Sequence, residues 1–152
     1  MIRSRTVNRR LAAGGLLALY AALALGATAV QAQIVRSEAH SFRVVRLVEG
    51  LEHPWGLAFL PDGRMLVTER PGRLRTIGKD GRLVFQAVSG LPEIAVYGQG
   101  GLLDVAIHPR YPENSLIYIS YSARGEGVGT EVARGRFVAN RLDDVEVIFR
   151  QQ

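Results

Sequence analysis

From residue 42 onward the apolar positions fall into short stretches, mostly four to seven residues long, rich in Val, Ile, Leu, Phe and Tyr and broken by glycine and proline. Runs of that length and composition predict strands. The pattern places them at residues 42–48, 56–60, 65–69, 74–77, 83–88, 102–107, 116–121, 131–137 and 145–149. Turn chemistry lies between them, at Pro61-Asp62-Gly63, Lys79-Asp80-Gly81 and Pro112-Glu113-Asn114. No helical periodicity is visible beyond the first 32 residues, so the fold class is all-β.

An internal repeat organises these strands. With a shift of 48 positions, Leu57, Ala58, Phe59 and Pro61 fall on Val105, Ala106, Ile107 and Pro109. Leu66 and Val67 then fall near Ile117 and Tyr118 if the second turn is three residues longer. A period near 48 built from four short strands is what a blade of a β-propeller requires. Inner strands of stacked blades are covered on both faces, and the unbroken apolar runs at 57–60 and 116–119 fit that position. Residues 51–90 and 91–150 make about two blades, with 42–48 left as an extra strand before the first. A closed ring takes about four blades or more, so the segment is expected to be part of a longer propeller, with a two-blade subunit that closes by oligomerising as the rival.

The first 32 residues stand apart. Arg3, Arg5, Arg9 and Arg10 precede an uncharged apolar run from Leu11 to Val30, and Val30-Gln31-Ala32 offers a cleavage site, with Ala27-Thr28-Ala29 as the alternative. The run is rich in alanine and glycine, which favours a cleaved signal peptide at 1–32 over a retained anchor. The whole chain has a formal net charge of +5, but all four leader charges are basic, so residues 33–152 carry 15 minus 14, or +1. The basic balance is therefore no argument for a nucleic-acid partner. A membrane partner follows only if the leader stays uncleaved. The chain has no cysteine, so neither disulfides nor thiolate metal sites are available.

The sequence GQGGLLDVAIHP at 98–109 holds the most informative polar residue, Gln99. It has no evident packing role, and its amide offers both a donor and an acceptor to a hydroxyl without adding charge. Gly98, Gly100 and Gly101 let the backbone approach a ligand closely, though a tight connection between blades explains them equally well. They do not fit a dinucleotide fingerprint, because the third glycine and the following helix are missing. Among the histidines, His108 falls by the repeat on apolar Leu60 and reads as a packing or turn residue, His53 lies on the same rim as Gln99, and His40 lies in an unstructured start. Asp143, Asp144 and Glu146 read as a turn and the start of a strand rather than a calcium site. Asp104, whose repeat partner is Gly56, is expected to hydrogen-bond nearby backbone, and Trp55 is expected in the core.

Two of these segments, LEHPWGLAFLPDGRMLVTERPGRL at 51–74 and YGQGGLLDVAIHP at 97–109, resemble the start of the soluble aldose sugar dehydrogenases of the glucose/sorbosone dehydrogenase family. The resemblance runs from about residue 42 to the end. It implies a six-bladed propeller in the bacterial periplasm or secreted, using pyrroloquinoline quinone (PQQ) with calcium to oxidise aldoses at C1, with an external electron acceptor. It further implies that Gln99 contacts the sugar substrate, and that the catalytic base, calcium ligands and most cofactor ligands follow residue 152. On that reading no catalytic residue and no metal ligand lies in this chain. A lactonase-type propeller hydrolase and a non-catalytic carbohydrate- or protein-binding propeller are the alternatives.

Cleavage after Ala32 leaves Gln33 as the first residue. Intact mass of the exported protein is expected to show loss of residues 1–32; retention of the apolar run would establish an anchor instead.

Overall fold

The computed structural model of the protein describes residues 33–125 and 127–151; the leader expected at 1–32 lies outside them. The chain divides into two compact units, one ending at Arg46 and the other running from Leu47 onward. In the first, β1 (Gln33–Arg36) pairs antiparallel with β2 (Ser41–Val44). The hairpin closes through Ser37, whose amide donates to His40 O at 2.9 Å and whose hydroxyl accepts from the His40 amide at 3.1 Å. His40 is thus a turn residue and not part of an unstructured start. The strand expected at 42–48 likewise ends at Val44 and is paired within its own hairpin.

The second unit holds two antiparallel sheets. The first consists of β3 (Pro54–Phe59), β4 (Met65–Glu69) and β5 (Arg73–Ile77), in that order. The second consists of β6 (Leu102–Ile107), β7 (Leu116–Arg124), β8 (Val128–Val138) and β9 (Arg141–Arg150). Between β6 and β7 lies α1 (Tyr111–Asn114), a single turn that the sequence pattern did not predict. Leu66, Leu74, Leu102, Val105, Ile117, Ile119, Tyr121, Ala133, Phe137 and Leu142 form one core shared by both sheets.

The register corrects the repeat by one residue. Ala58 pairs with Leu66 and Ala106 with Tyr118, so the shift on the second strand is 118 minus 66, or 52. The second turn is four residues longer rather than three, which is the length of α1. Each inner strand also carries a bulge at the same place. Between the paired ends, Trp55 and Gly56 oppose the single residue Thr68, and Leu103 and Asp104 oppose the single residue Ser120. Gly56 and Asp104 are therefore equivalent bulge residues, and in each sheet a hydroxyl accepts the bulge amide. Gly56 N–H donates to Thr68 Oγ1 at 2.7 Å, and Asp104 N–H to Ser120 Oγ at 3.1 Å. Asp104 also accepts from the Val105 amide at 2.8 Å, the backbone bond its sequence position suggested.

The sheets meet at these bulges. A Cβ on Gly56 would collide with Asp104 Oδ1, so this position of the first sheet must be glycine for the second to approach. Thr68 completes the joint: fully buried, it donates to Leu103 O at 2.5 Å while accepting from Gly56.

Residues 83–88 do not form the fourth strand of the first sheet. Against the backbone of β5 they make an Ile77–Leu83 bridge and the hydrogen bonds of the Val84 and Val88 amides. The Arg75 guanidinium reaches Val84 O at 3.2 Å, and Phe85 is 95% exposed, so this edge is closed by a side chain rather than a ladder. Nor is β3 covered on both faces: Trp55, Leu57 and Phe59 are exposed, and no described sheet packs on that side. Trp55, expected in the core, is 64% exposed because it alternates with Leu57 and Phe59 onto that uncovered face.

At that same end Glu69 is fully buried. It accepts from the Glu52 amide at 2.6 Å and from Arg73 Nε at 2.6 Å, with Arg75 Nη1 at 3.4 Å. Burial alone would raise its pKa, but the Glu52 amide and the two guanidinium groups outweigh it, so the carboxyl lies below its ordinary value.

Thr68→Val is expected to leave the Gly56 amide and Leu103 carbonyl without partners and to cost about 2 kcal/mol in denaturant unfolding. Glu69 has a depressed pKa in the folded protein, so its contribution is fully present above the unfolded value of about 4.3 and is lost as pH falls through the folded one. Unfolding followed between about pH 6 and pH 3 should show an acid loss of stability that Glu69→Gln flattens.

Candidate functional site

The start of β3, the β4–β5 turn and the loop leading into β6 lie at one end of the sheets, because Pro54 pairs with Glu69, Glu69 with Arg73 and Leu102 with Tyr121. That end carries a depression of about 530 Å³ lined by His53, Pro54, Trp55, Arg70, Gly98 and Gln99. The shared rim expected for His53 and Gln99 is present.

Gln99 stands at the tip of a turn closed by the Gly100 amide donating to Tyr97 O at 2.8 Å. Gly101 follows with φ +155°, and a Cβ there would run into the Arg70 carbonyl, so a side chain is excluded on two counts. Its amide donates to Ser122 Oγ at 3.2 Å and its carbonyl accepts from the Ser122 amide at 2.8 Å. The loop is therefore fixed from behind, by the second sheet, and from the side, by Arg70. The Leu102 amide donates to Arg70 O at 3.2 Å, and Arg70 Nη1 donates to Gly98 O at 2.5 Å.

The residues facing the depression contrast with this anchoring. The Gln99 amide, His53 imidazole and Trp55 indole N–H have no hydrogen-bond partner among the described residues, and all three side chains belong to exposed residues. His53 has φ 46°, and its carbonyl accepts from the Arg70 amide at 3.0 Å. An aromatic ring, a neutral amide, an imidazole and a guanidinium around one hollow suit a neutral polyhydroxylated ligand: hydroxyls find donors and acceptors, and C–H faces find the indole.

The other candidates lie elsewhere. His108 Nδ1 accepts from the Arg110 amide at 3.0 Å and sits 2.9 Å from Asn114 Nδ2, and its ring stacks on Tyr118. It ties down the turn around α1, the turn role its repeat position suggested. On β9, Asp143 pairs with Arg141, Asp144 with Arg136 and Glu146 with Arg134, each acid neutralised separately. Burial pushes the Tyr121 phenol well above its ordinary pKa, reinforced by the 2.7 Å bond it donates to Glu131, so it stays a donor. Arg70 and Trp55 are the site residues that sequence reasoning missed. With the shift of 52 given by the register, Arg70 falls on Ser122, whereas a shift of 51 sets it against Tyr121 and hides the correspondence.

Residues 51–152 match the family model described as Glucose / Sorbosone dehydrogenase. Aldose sugar dehydrogenase YliI of Escherichia coli is 41% identical over 110 residues, covering 69% of this chain and 29% of the relative. A crystal structure of a glucose dehydrogenase superposes with a TM-score of 0.66 at 46% identity, over 70% of this chain and 32% of that one. Quinoprotein glucose dehydrogenase B of Acinetobacter calcoaceticus is 32% identical over 91 residues, 58% of this chain and 19% of the relative. The chain spans about 30% of the length of the first two curated relatives it matches. Its two sheets are part of the propeller of such enzymes. The family model covers 102 of the 152 residues, and the chain belongs to the Glucose / Sorbosone dehydrogenase family.

Proposed function

We propose that this chain is the sugar-contacting start of an exported quinoprotein that oxidises aldoses at C1, and that Gln99 binds the substrate. The observation that carries the reading is the Gln99 amide, unpaired among the described residues, on a turn whose backbone is fixed on two sides. Its oxygen accepts from one sugar hydroxyl and its NH₂ donates to another, while the Trp55 ring covers an apolar face. A neutral amide orients the sugar without setting a negative charge near an oxygen that gains charge as C1 is oxidised.

PQQ, which takes up a hydride when bound, is supported by the quinoprotein relative. The described residues do not by themselves fit that cofactor or calcium. A planar tricarboxylate would meet one guanidinium here, Arg70, which already donates to Gly98 O. Among the described residues no three His, Asp or Glu side chains converge as calcium would require. The ligands of the quinone and the metal, the base that takes the C1 hydroxyl proton and the contact with an external electron acceptor belong, in this proposal, to the family's remaining length. The chain supplies binding and orientation. A periplasmic or secreted location follows from the basic, apolar leader at 1–32.

The test is steady-state dye reduction by the full-length protein loaded with PQQ and calcium. Gln99→Ala is expected to raise KM for aldoses about fivefold, the loss of one or two neutral hydrogen bonds, with a smaller effect on kcat. An unchanged KM would overturn the role of Gln99. Lactone hydrolysis without aldose oxidation would overturn the activity itself.

A further inference from the structure

Arg70 is the one residue of the depression whose side chain reaches across to the Gln99 turn. Its backbone has a different task, which the repeat separates cleanly. Arg70 N–H donates to His53 O, and at the equivalent place Ser122 N–H donates to Gly101 O. A serine therefore suffices for the fold at this position of a blade, and the length and guanidinium of arginine are not required by the sheet. Nor are they used in an ion pair. The nearby carboxylates Glu69 and Glu52 are engaged by Arg73 and Arg75, and Arg70 has no carboxylate partner among the described residues. What its Nη1 holds is Gly98 O, one residue before Gln99, at 2.5 Å.

We propose that Arg70 is a positioning residue for the substrate amide: its guanidinium clamps the Gly98 carbonyl and fixes the direction in which Gln99 presents its side chain. The proposal rests on the reading of Gln99 given above. Gly98 and Gly100 flank Gln99, so beyond the Gly100–Tyr97 bond the turn depends on its neighbours, and the bond to Gly98 O restrains it from the open side. The opposite side is held by Ser122, whose hydroxyl accepts from the Gly101 amide and whose amide donates to the Gly101 carbonyl.

A double-mutant cycle in the full-length, PQQ-loaded protein separates this role from a structural one. Arg70→Met is expected to raise KM for aldoses on the order of fivefold with kcat within about twofold, as loss of one charge-assisted bond at an exposed site. Arg70→Lys, which keeps a donor on a shorter stem, is expected to fall between Met and wild type. In the Gln99→Ala background Arg70→Met should change KM no further, because the side chain it directs is gone. Additive effects, or an unchanged KM in Arg70→Met while Gln99→Ala raises it, would overturn the role of Arg70 and leave Gln99 standing. If Gln99→Ala is silent, the reading of Gln99 fails and this inference with it. Should Arg70→Met not fold, the same cycle with Arg70→Lys decides between coupling and additivity.

Discussion

The hydroxyl of Thr68 is shut away from water and spends both its hydrogen-bonding capacities on backbone, accepting from Gly56 in its own sheet and donating to Leu103 in the next. Around it the sheets come close enough that Gly56 has no room for a Cβ beside Asp104. This joint fixes the separation and stagger of the two sheets, and with them the height of the Gln99 turn above the first. The same donor pattern at Asp104 and Ser120 shows that a hydroxyl opposite the bulge is a property of the repeat. An inner strand that bulges exposes an amide in the interior, and burying that amide without a partner would be costly.

The all-β class and the 65–69 and 102–107 strands were legible in the sequence, because buried short strands leave unbroken apolar runs between turn residues. The repeat was legible too, though only where turn lengths match. It slipped by one residue beyond α1, since the YPEN turn has too few residues to give a helical period. Trp55 was misplaced because apolar content says nothing about which face is covered, and Trp55 shares with Leu57 and Phe59 the face that is open. Residues 83–88 carry a good strand pattern, yet they lost the ladder to a side chain, with Arg75 taking the carbonyls a strand would have offered.

In the site, Gln99 could be singled out because it is polar, uncharged and set among glycines. Arg70 could not, since TERPGR reads as a charged turn and three arginines within six residues look alike. Structure separates them by partner. Buried Glu69 draws Arg73 and Arg75 inward, and the remaining arginine faces the depression. A carboxylate in the sheet thus sorts the cations, assigning two to stability and leaving one to the rim.

The paired bulges have a further consequence. In β6 the bulge shifts the phase of burial, with Leu102 and Val105 both in the core although three positions apart, whereas in β3 Trp55, Leu57 and Phe59 keep one alternation through it. The same device thus serves two ends: in β6 it returns the chain to the core at Leu102, just after the Gln99 turn, and in β3 it leaves the rim at Trp55 continuous with the open face below.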